Sequence, residues 1–89
     1  MIVNIDKNKL REFLASFEDA EEVGKDEYTV DLYDTEPALS MDIEFTEDGV
    51  DVLAALYLEF DEEQEGWYLG EKTKDAGLIE KAIRQALEG

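Results

Sequence analysis

The sequence predicts an α+β domain in which an N-terminal and a C-terminal helix pack on one face of an antiparallel sheet of three to five strands. Three observations lead to this fold class. Apolar residues near both ends recur with helical spacing, and apolar residues in the middle alternate with polar ones as in half-buried strands. An Asp-Gly pair joins two alternating segments, as in a β-hairpin. With 89 residues, we expect a single domain covering residues 1–89.

The first element is a short strand near Val3, and a helix with Asp6 as its N-cap follows it. The apolar residues of this helix have the spacing i, i+3, i+4, i+7 and are Leu10, Phe13, Leu14 and Phe17. Ala20 and Val23 continue the same stripe, so we expect the helix to reach the stop signal Gly24.

Two strands joined by a tight turn are predicted next. Residues 28–33 alternate between apolar and polar side chains up to a breaker segment that contains Pro37. Residues 39–46 alternate more strictly and lead to Asp48 and Gly49, which we expect to be the two loop residues of a hairpin. This closure places Ile43 opposite Ala54 and aligns the apolar faces of both strands. A slip by one residue would bring apolar side chains opposite charged ones, so the pattern favours this register.

A further strand and a helix complete the domain. A charged loop over residues 61–65 separates the long second hairpin strand from a returning strand at residues 67–71. Thr73 or Asp75 then caps the last helix. Its apolar stripe consists of Leu78, Ile79, Ala82, Ile83, Ala86 and Leu87.

Negative charge is concentrated in the predicted sheet. The chain has 25 acidic and eight basic residues, which gives a net charge of -17. Residues 26–71 contain sixteen acidic residues and no Lys or Arg, whereas the two ends are almost balanced. Crowded like charges destabilise a compact fold, and a protein that needs only solubility mixes both signs. The segregation therefore indicates a surface for a partner, with a merely solvated sheet face as the simpler alternative.

Several classes of function lack the residues they need. The chain has no Cys and no His, so the usual thiolate and imidazole ligands and the commonest catalytic base are missing. Carboxylate pairs such as Asp42 and Glu44 are expected on open surfaces, where nothing raises a pKa for acid–base catalysis. We expect no catalytic, cofactor or metal site. No signal-peptide pattern and no apolar run of about 20 residues is present, so we expect a cytoplasmic protein without membrane contact.

The partner-binding residues are expected mainly on the face of the sheet that the helices leave open. The alternation of the strands and the charged loop supply Asp31, Tyr33, Asp42, Glu44, Asp51, Tyr57, Glu59, Asp61, Glu62 and Glu63. Tyrosines surrounded by charged groups are typical of protein-binding surfaces. Trp67 is expected in the core, and its alternative role is that of an interface anchor.

The charge pattern predicts a non-enzymatic acidic binding protein. It would imitate the phosphate backbone and block the basic surface of a nucleic-acid-binding protein or nuclease complex. The same charge argues against direct binding to nucleic acid. In composition the chain resembles the small acidic inhibitors that phages use against host defence, and equally the immunity proteins that neutralise nuclease toxins. No motif of either group is present, so the likeness assigns no role to any residue.

Two other interpretations stay open. An ordinary acidic domain adapted to high salt would also be negative, although such adaptation should acidify the helices as well. A protein–protein adaptor with no nucleic-acid-related target is the other. A homodimer formed through the strip around Leu53 and Tyr57 would bring Asp51 and Glu59 close to their copies, so we expect a monomer.

Overall fold

The computed structural model describes all 89 residues and contains one antiparallel sheet and two helices. In chain order the elements are β1 Ile2–Val3, α1 Lys7–Ser16, β2 Ala20–Gly24, β3 Glu27–Leu32, β4 Leu39–Thr46, β5 Gly49–Asp61, β6 Gly66–Lys72 and α2 Ala76–Glu88. The α+β class and the helix near each end are confirmed. The sheet has six strands, so the prediction of three to five was too low.

The additional strand is β2, which replaces the predicted last turns of the first helix. That helix ends at Ser16, and Ala20–Gly24 pairs antiparallel with β3. The predicted helical stripe would have buried Val23, but Val23 is 48% exposed in the strand. Acidic residues are unfavourable at a helix C-terminus, and residues 18–22 contain four of them. Strand pairing satisfies the backbone of this segment without placing those charges against the helix dipole.

Both helices begin at the type of residue that the sequence predicts. The Asp6 side chain accepts a hydrogen bond from the backbone N–H of Lys9 at 3.0 Å. The Asp75 side chain accepts one from the backbone N–H of Leu78 at 3.2 Å. Each aspartate thus satisfies a backbone donor that the helix itself leaves free, which confirms the two caps.

The long strand β5 organises the sheet, whose order is β1-β5-β4-β3-β2 with β6 also paired to β5. β4 lies along one edge of β5. On the other edge, β1 pairs with its beginning and β6 with its end. The pairing with β4 stops at Tyr57, whereas the pairing with β6 continues to Asp61. The β5–β6 hairpin therefore projects beyond the rest of the sheet, and the molecule measures 43 × 25 × 24 Å.

The turn between β4 and β5 differs from the prediction. Thr46 pairs with Gly49, so the two loop residues are Glu47 and Asp48. Gly49 has a φ of 128°, which residues with a side chain rarely adopt, so the glycine is needed as the first residue of β5. As a result Ile43 lies opposite Val52, and the predicted pairing with Ala54 was wrong.

A β-bulge at Leu53 then changes the facing of β5. Ile43 pairs with Val52 and the preceding residue, Asp42, pairs with Ala54, which leaves Leu53 as the extra residue. Beyond this point the buried residue is Ala55, at 3% exposure, and not Ala54 as the alternation predicts. The rest of the strand therefore presents to the core the residues that were expected to face away from it.

One apolar cluster joins the helices to the sheet. Its members are Val3, Leu10, Leu14, Tyr28, Val30, Leu32, Leu39, Met41, Ile43, Phe45, Val50, Val52, Ala55, Ile79, Ala82 and Ile83. No charged side chain is buried anywhere in the chain. The charge must therefore lie on the surface, and the alternation of β3 and β4 decides which carboxylates are on the face opposite the cluster.

Candidate functional site

Five carboxylates lie on the face of β3, β4 and the beginning of β5 that is turned away from the apolar cluster. They are Glu27, Asp31, Asp42, Glu44 and Asp51, which we call the carboxylate face. Residues directly opposite each other in an antiparallel pair point to the same side, so the pairs Glu27–Glu44 and Glu44–Asp51 agree with the facing that the burial of each strand gives. Four of the predicted site residues are thus brought together, and Glu27 joins them.

Three of these carboxylates form a row across the strands. Glu44 lies directly opposite Glu27 on one side and Asp51 on the other. Neighbouring strands are about 4.7–4.9 Å apart, so the like charges repel each other at short range. The N-terminal ammonium of Met1 compensates only Asp51, at 2.6 Å. Neither Glu27 nor Glu44 has a cationic group within ion-pair distance, so the row retains net negative charge.

Asp31 is held by two hydroxyl groups at the other end of the carboxylate face. The Ser40 hydroxyl donates to one oxygen at 2.6 Å, and the Tyr33 hydroxyl donates to the other at 3.5 Å. Burial, followed by the negative charges of Asp31 and Asp19, raises the pKa of Tyr33 above its ordinary value of 10.0. Tyr33 is therefore neutral at physiological pH and orients the carboxylate without adding charge.

An aromatic cluster lies beside Asp31 on the same side of the sheet. The Trp67 ring contacts the Tyr33 ring with centroids 5.0 Å apart and the Phe60 ring with centroids 5.3 Å apart, both edge to face. Phe60 and Trp67 also lie directly opposite each other in the β5–β6 pair. Trp67 is 45% exposed and Phe60 is 50% exposed, so the prediction that Trp67 is a core residue was wrong. We call Tyr33, Phe60 and Trp67 the aromatic cluster.

Three predicted site residues of β5 do not belong to the carboxylate face. Tyr57 lies opposite Leu39 and packs against the apolar core, and Glu59 and Asp61 share its side of the strand. The bulge at Leu53 is the cause, since the prediction assumed an uninterrupted alternation. Glu59 instead lies opposite Tyr68 on the projecting hairpin, where its charge raises the pKa of that tyrosine.

The acidic loop between β5 and β6 has its own local structure. One Asp61 oxygen accepts hydrogen bonds from the backbone N–H groups of Glu63, at 2.9 Å, and Gln64, at 3.3 Å. Asp61 is therefore a turn-forming residue of the Asx type. The Glu62 and Glu63 side chains are exposed at the tip of the hairpin, away from the row formed by Glu44 and its neighbours.

The acidic segment is almost free of internal compensation. Only three ion pairs occur in the molecule, and within residues 26–71 they involve Asp26 and Asp51 alone. The cation of the first is Arg11, whose guanidinium also lies 4.5 Å from the centre of the Phe45 ring. The cation of the second is the N-terminus. Fourteen of the sixteen carboxylates of this segment thus have no cationic partner.

Metal ligands, surface grooves and membrane-spanning helices are the other features that bear on function. No group of three or more carboxylates is arranged to hold a metal ion. The largest surface groove, of about 500 Å³, runs past Phe13, Phe17 and Tyr33. No helix has the length and apolar composition to cross a membrane.

Comparison of the chain with protein-family models, curated proteins and solved structures finds no match.

Phe60 is the member of the aromatic cluster that sequence analysis missed, whereas Tyr33 was expected at the partner surface and Trp67 had an interface anchor as its alternative role. Leu56, Leu58 and Phe60 continue the alternation of Val52 and Ala54, so an uninterrupted strand predicts that they face the core. In the structure Leu58 is only 8% exposed and yet lies outside the core cluster, on the same side of β5 as Phe60. The sequence feature that could have indicated an exposed apolar surface is the presence of large apolar side chains at both odd and even positions of β5, since only one parity can face the core.

Proposed function

We propose that this protein is a non-enzymatic binding protein whose carboxylate face occupies the basic nucleic-acid-binding surface of another protein. The partner in this proposal is a nucleic-acid-binding protein or nuclease complex, and the bound nucleic acid is excluded by competition. The observation that carries the proposal is the row of Glu27, Glu44 and Asp51, in which only Asp51 has a cationic partner, on strands β3, β4 and β5 that contain no Lys or Arg.

The spacing of the carboxylates supports imitation of a phosphate backbone. Asp42 and Glu44 are two residues apart on β4, at about 6.4–6.8 Å, and the carboxylates directly opposite each other on neighbouring strands are closer. Duplex DNA carries one phosphate charge about every 3.4 Å of axis per strand, so the spacing of its charges is of the same order as that of the carboxylates on this face. A Lys- or Arg-lined groove built for nucleic acid would meet a similar field on this protein, and its attraction accelerates association.

The distribution of charge favours this proposal over adaptation to high salt. General acidification has no reason to spare the helices, yet Lys7, Lys9 and Arg11 lie on α1 and Lys81 and Arg84 on α2. Like charges placed directly opposite each other also reduce stability. A charged surface that reduces stability and is confined to one face is more typical of a partner-binding site than of an adaptation that keeps the whole protein hydrated at high salt.

The first experiment measures competition. The purified chain is immobilised and exposed to lysate from its source organism at low salt, and retained proteins are eluted with duplex DNA. We expect one nucleic-acid-binding enzyme in stoichiometric amount, displaced by DNA and by raised salt because the contact is electrostatic. Its activity on nucleic acid is then measured with increasing amounts of the chain, and inhibition is the expected result.

A matched pair of variants assigns the effect to the carboxylate face. The double variant Asp42→Lys, Glu44→Lys reverses two exposed or half-exposed charges of the face, and we expect inhibition to fall at least about tenfold. The control Glu12→Lys, Glu88→Lys changes the net charge equally on exposed helix positions and should inhibit normally. Equal losses in both variants, or retention of diffuse basic proteins only, would contradict the proposal.

A further inference from the structure

We propose that the aromatic cluster selects arginine over lysine, so that the protein segment bound beside the carboxylate face is rich in arginine. This inference rests on the proposed function and adds the chemistry of the partner to it. It is carried by exposed rings of Phe60 and Trp67 that lie on the same side of the sheet as Asp31.

The cluster has the composition and exposure of an interface anchor. Leu69, which pairs with Leu58 beside it, is 58% exposed, so apolar surface continues from the rings along β6. Exposed aromatic groups rimmed by charge are enriched where most of the binding energy of an interface is concentrated. The edge-to-face contacts with Trp67 hold the rings in fixed positions, which lowers the entropy cost of binding.

Arginine is the side chain that fits both parts of this surface. Its planar guanidinium stacks on aromatic rings and at the same time forms paired hydrogen bonds with a carboxylate. Lysine provides the positive charge but no plane to stack, so it gains only the electrostatic part. Asp31 supplies the carboxylate next to the rings, because it accepts a hydrogen bond from the Tyr33 hydroxyl and the Tyr33 ring contacts Trp67.

The molecule already contains this arrangement once within its own fold. The Arg11 guanidinium donates to the Asp26 carboxylate at 3.1 Å and lies 4.5 Å from the centre of the Phe45 ring. That site joins one carboxylate, one aromatic ring and one arginine. At the aromatic cluster the carboxylate and the rings are present and the cation has to come from a partner.

A second copy of the chain does not supply this cation. Its arginines are Arg11, which is paired with Asp26, and Arg84, which contacts Glu80 and the backbone oxygen of Asn4. Two carboxylate faces would also repel each other. A separate arginine-bearing protein segment is the occupant that charge complementarity favours.

The test compares two probes of equal charge, nona-arginine and nona-lysine peptides with a fluorescent label. Binding is measured by anisotropy at about 150 mM NaCl, where long-range attraction is screened. We expect nona-arginine to bind at least about fivefold more tightly, because stacking combined with paired hydrogen bonds to a carboxylate is available to the guanidinium and not to the ammonium. Trp67 is the only tryptophan of the chain, so its emission should change with nona-arginine and much less with nona-lysine.

Variants of the cluster separate stacking from charge. Trp67→Leu and Phe60→Leu keep an apolar side chain and remove the ring, and we expect them to bring nona-arginine binding close to that of nona-lysine. Leu53→Ala is the control, because Leu53 is an exposed apolar residue of β5 outside the cluster, and it should leave the ratio unchanged. Circular dichroism verifies that each variant is folded.

The outcomes distinguish this inference from the proposed function. A preference for arginine that persists in folded Trp67→Leu and Phe60→Leu would overturn the role of the rings and leave the carboxylate-face proposal intact. Equal binding of the two peptides by the unmodified chain would overturn it as well. Absence of binding by both peptides even at low salt would contradict the proposed function itself.

Discussion

Three tyrosines report the electrostatic environment of individual carboxylates. The Tyr28 hydroxyl donates to Glu22 at 3.1 Å, and this hydrogen bond is the main reason for its raised pKa. For Tyr33 burial is the leading cause, and for Tyr68 it is the charge of Glu59. A nearby negative charge disfavours the tyrosinate, so neighbouring carboxylates contribute to each raised pKa, and at Tyr28 the charge of Arg11 partly offsets them. Tyr68 is the tyrosine whose pKa depends mainly on the charge of one carboxylate, Glu59.

We predict that Glu59→Gln lowers the pKa of Tyr68 towards 10.0, because the amide removes the negative charge that is the main cause of the raised pKa. A raised folded pKa means that the fold favours neutral tyrosine. Its stabilisation is thus complete below about pH 10 and is lost as pH rises through the folded pKa. The ionisation is followed by NMR of the Tyr68 ring, with Glu63→Gln as control. An unchanged titration in Glu59→Gln would show that Glu59 does not govern this tyrosine.

At the scale of the elements, alternation predicts which side of the sheet each residue of β3 and β4 faces, but it fails for β5 after the bulge. The facing of Asp31 on β3 and of Asp42 and Glu44 on β4 follows from regular alternation, and the structure agrees. The run Val52, Leu53, Ala54, Ala55, Leu56 is apolar at every position, so it fits a core with either parity. Pairing with β4 and packing against the helices determine which of these residues face the core, and both are long-range contacts.

Two adjacent alanines test the bulge directly. Ala55 is 3% exposed in the core, whereas Ala54 lies opposite Asp42 on the other side of the sheet. We predict that Ala55→Lys reduces the free energy of unfolding by about 3 kcal/mol or more, because it overfills the core and buries a charge. Ala54→Lys should change it by less than about 1 kcal/mol, since the new ammonium can pair with Asp42. Urea unfolding of both variants provides the measurement, and an uninterrupted strand would give the reverse order.

At the scale of the whole molecule, the location of the charge was predictable and the apolar part of the surface was not. Residues 26–71 are acidic without a base, and this property is visible in the sequence whatever the register. The contact between Tyr33 and Trp67 joins residues 34 positions apart and depends on where β4 begins and how far the β5–β6 hairpin projects. Such a contact follows from topology, which local periodicity does not determine.

Salt should stabilise the fold, and the range over which it does so separates binding from high-salt adaptation. Raising ionic strength from 0.01 to 0.1 M shortens the Debye length from about 30 to about 10 Å, which screens much of the repulsion among the carboxylates. We predict that the free energy of unfolding rises over this range and then levels off. Urea is the suitable denaturant, because it does not itself change the ionic strength.

The row of opposed carboxylates should account for part of this effect. Glu44→Gln removes the central charge between Glu27 and Asp51, so it should stabilise the protein at low salt by about 0.5–1 kcal/mol and reduce the salt dependence. Glu12→Gln on α1 makes the same change in net charge but has no carboxylate opposite it on a neighbouring strand. It should therefore stabilise the protein less at low salt. A gain of stability that continues into molar KCl and is equal for both variants would instead favour an acidic domain adapted to high salt. If Glu44→Gln both stabilises the fold and weakens partner binding, the row is maintained at a cost in stability for its function.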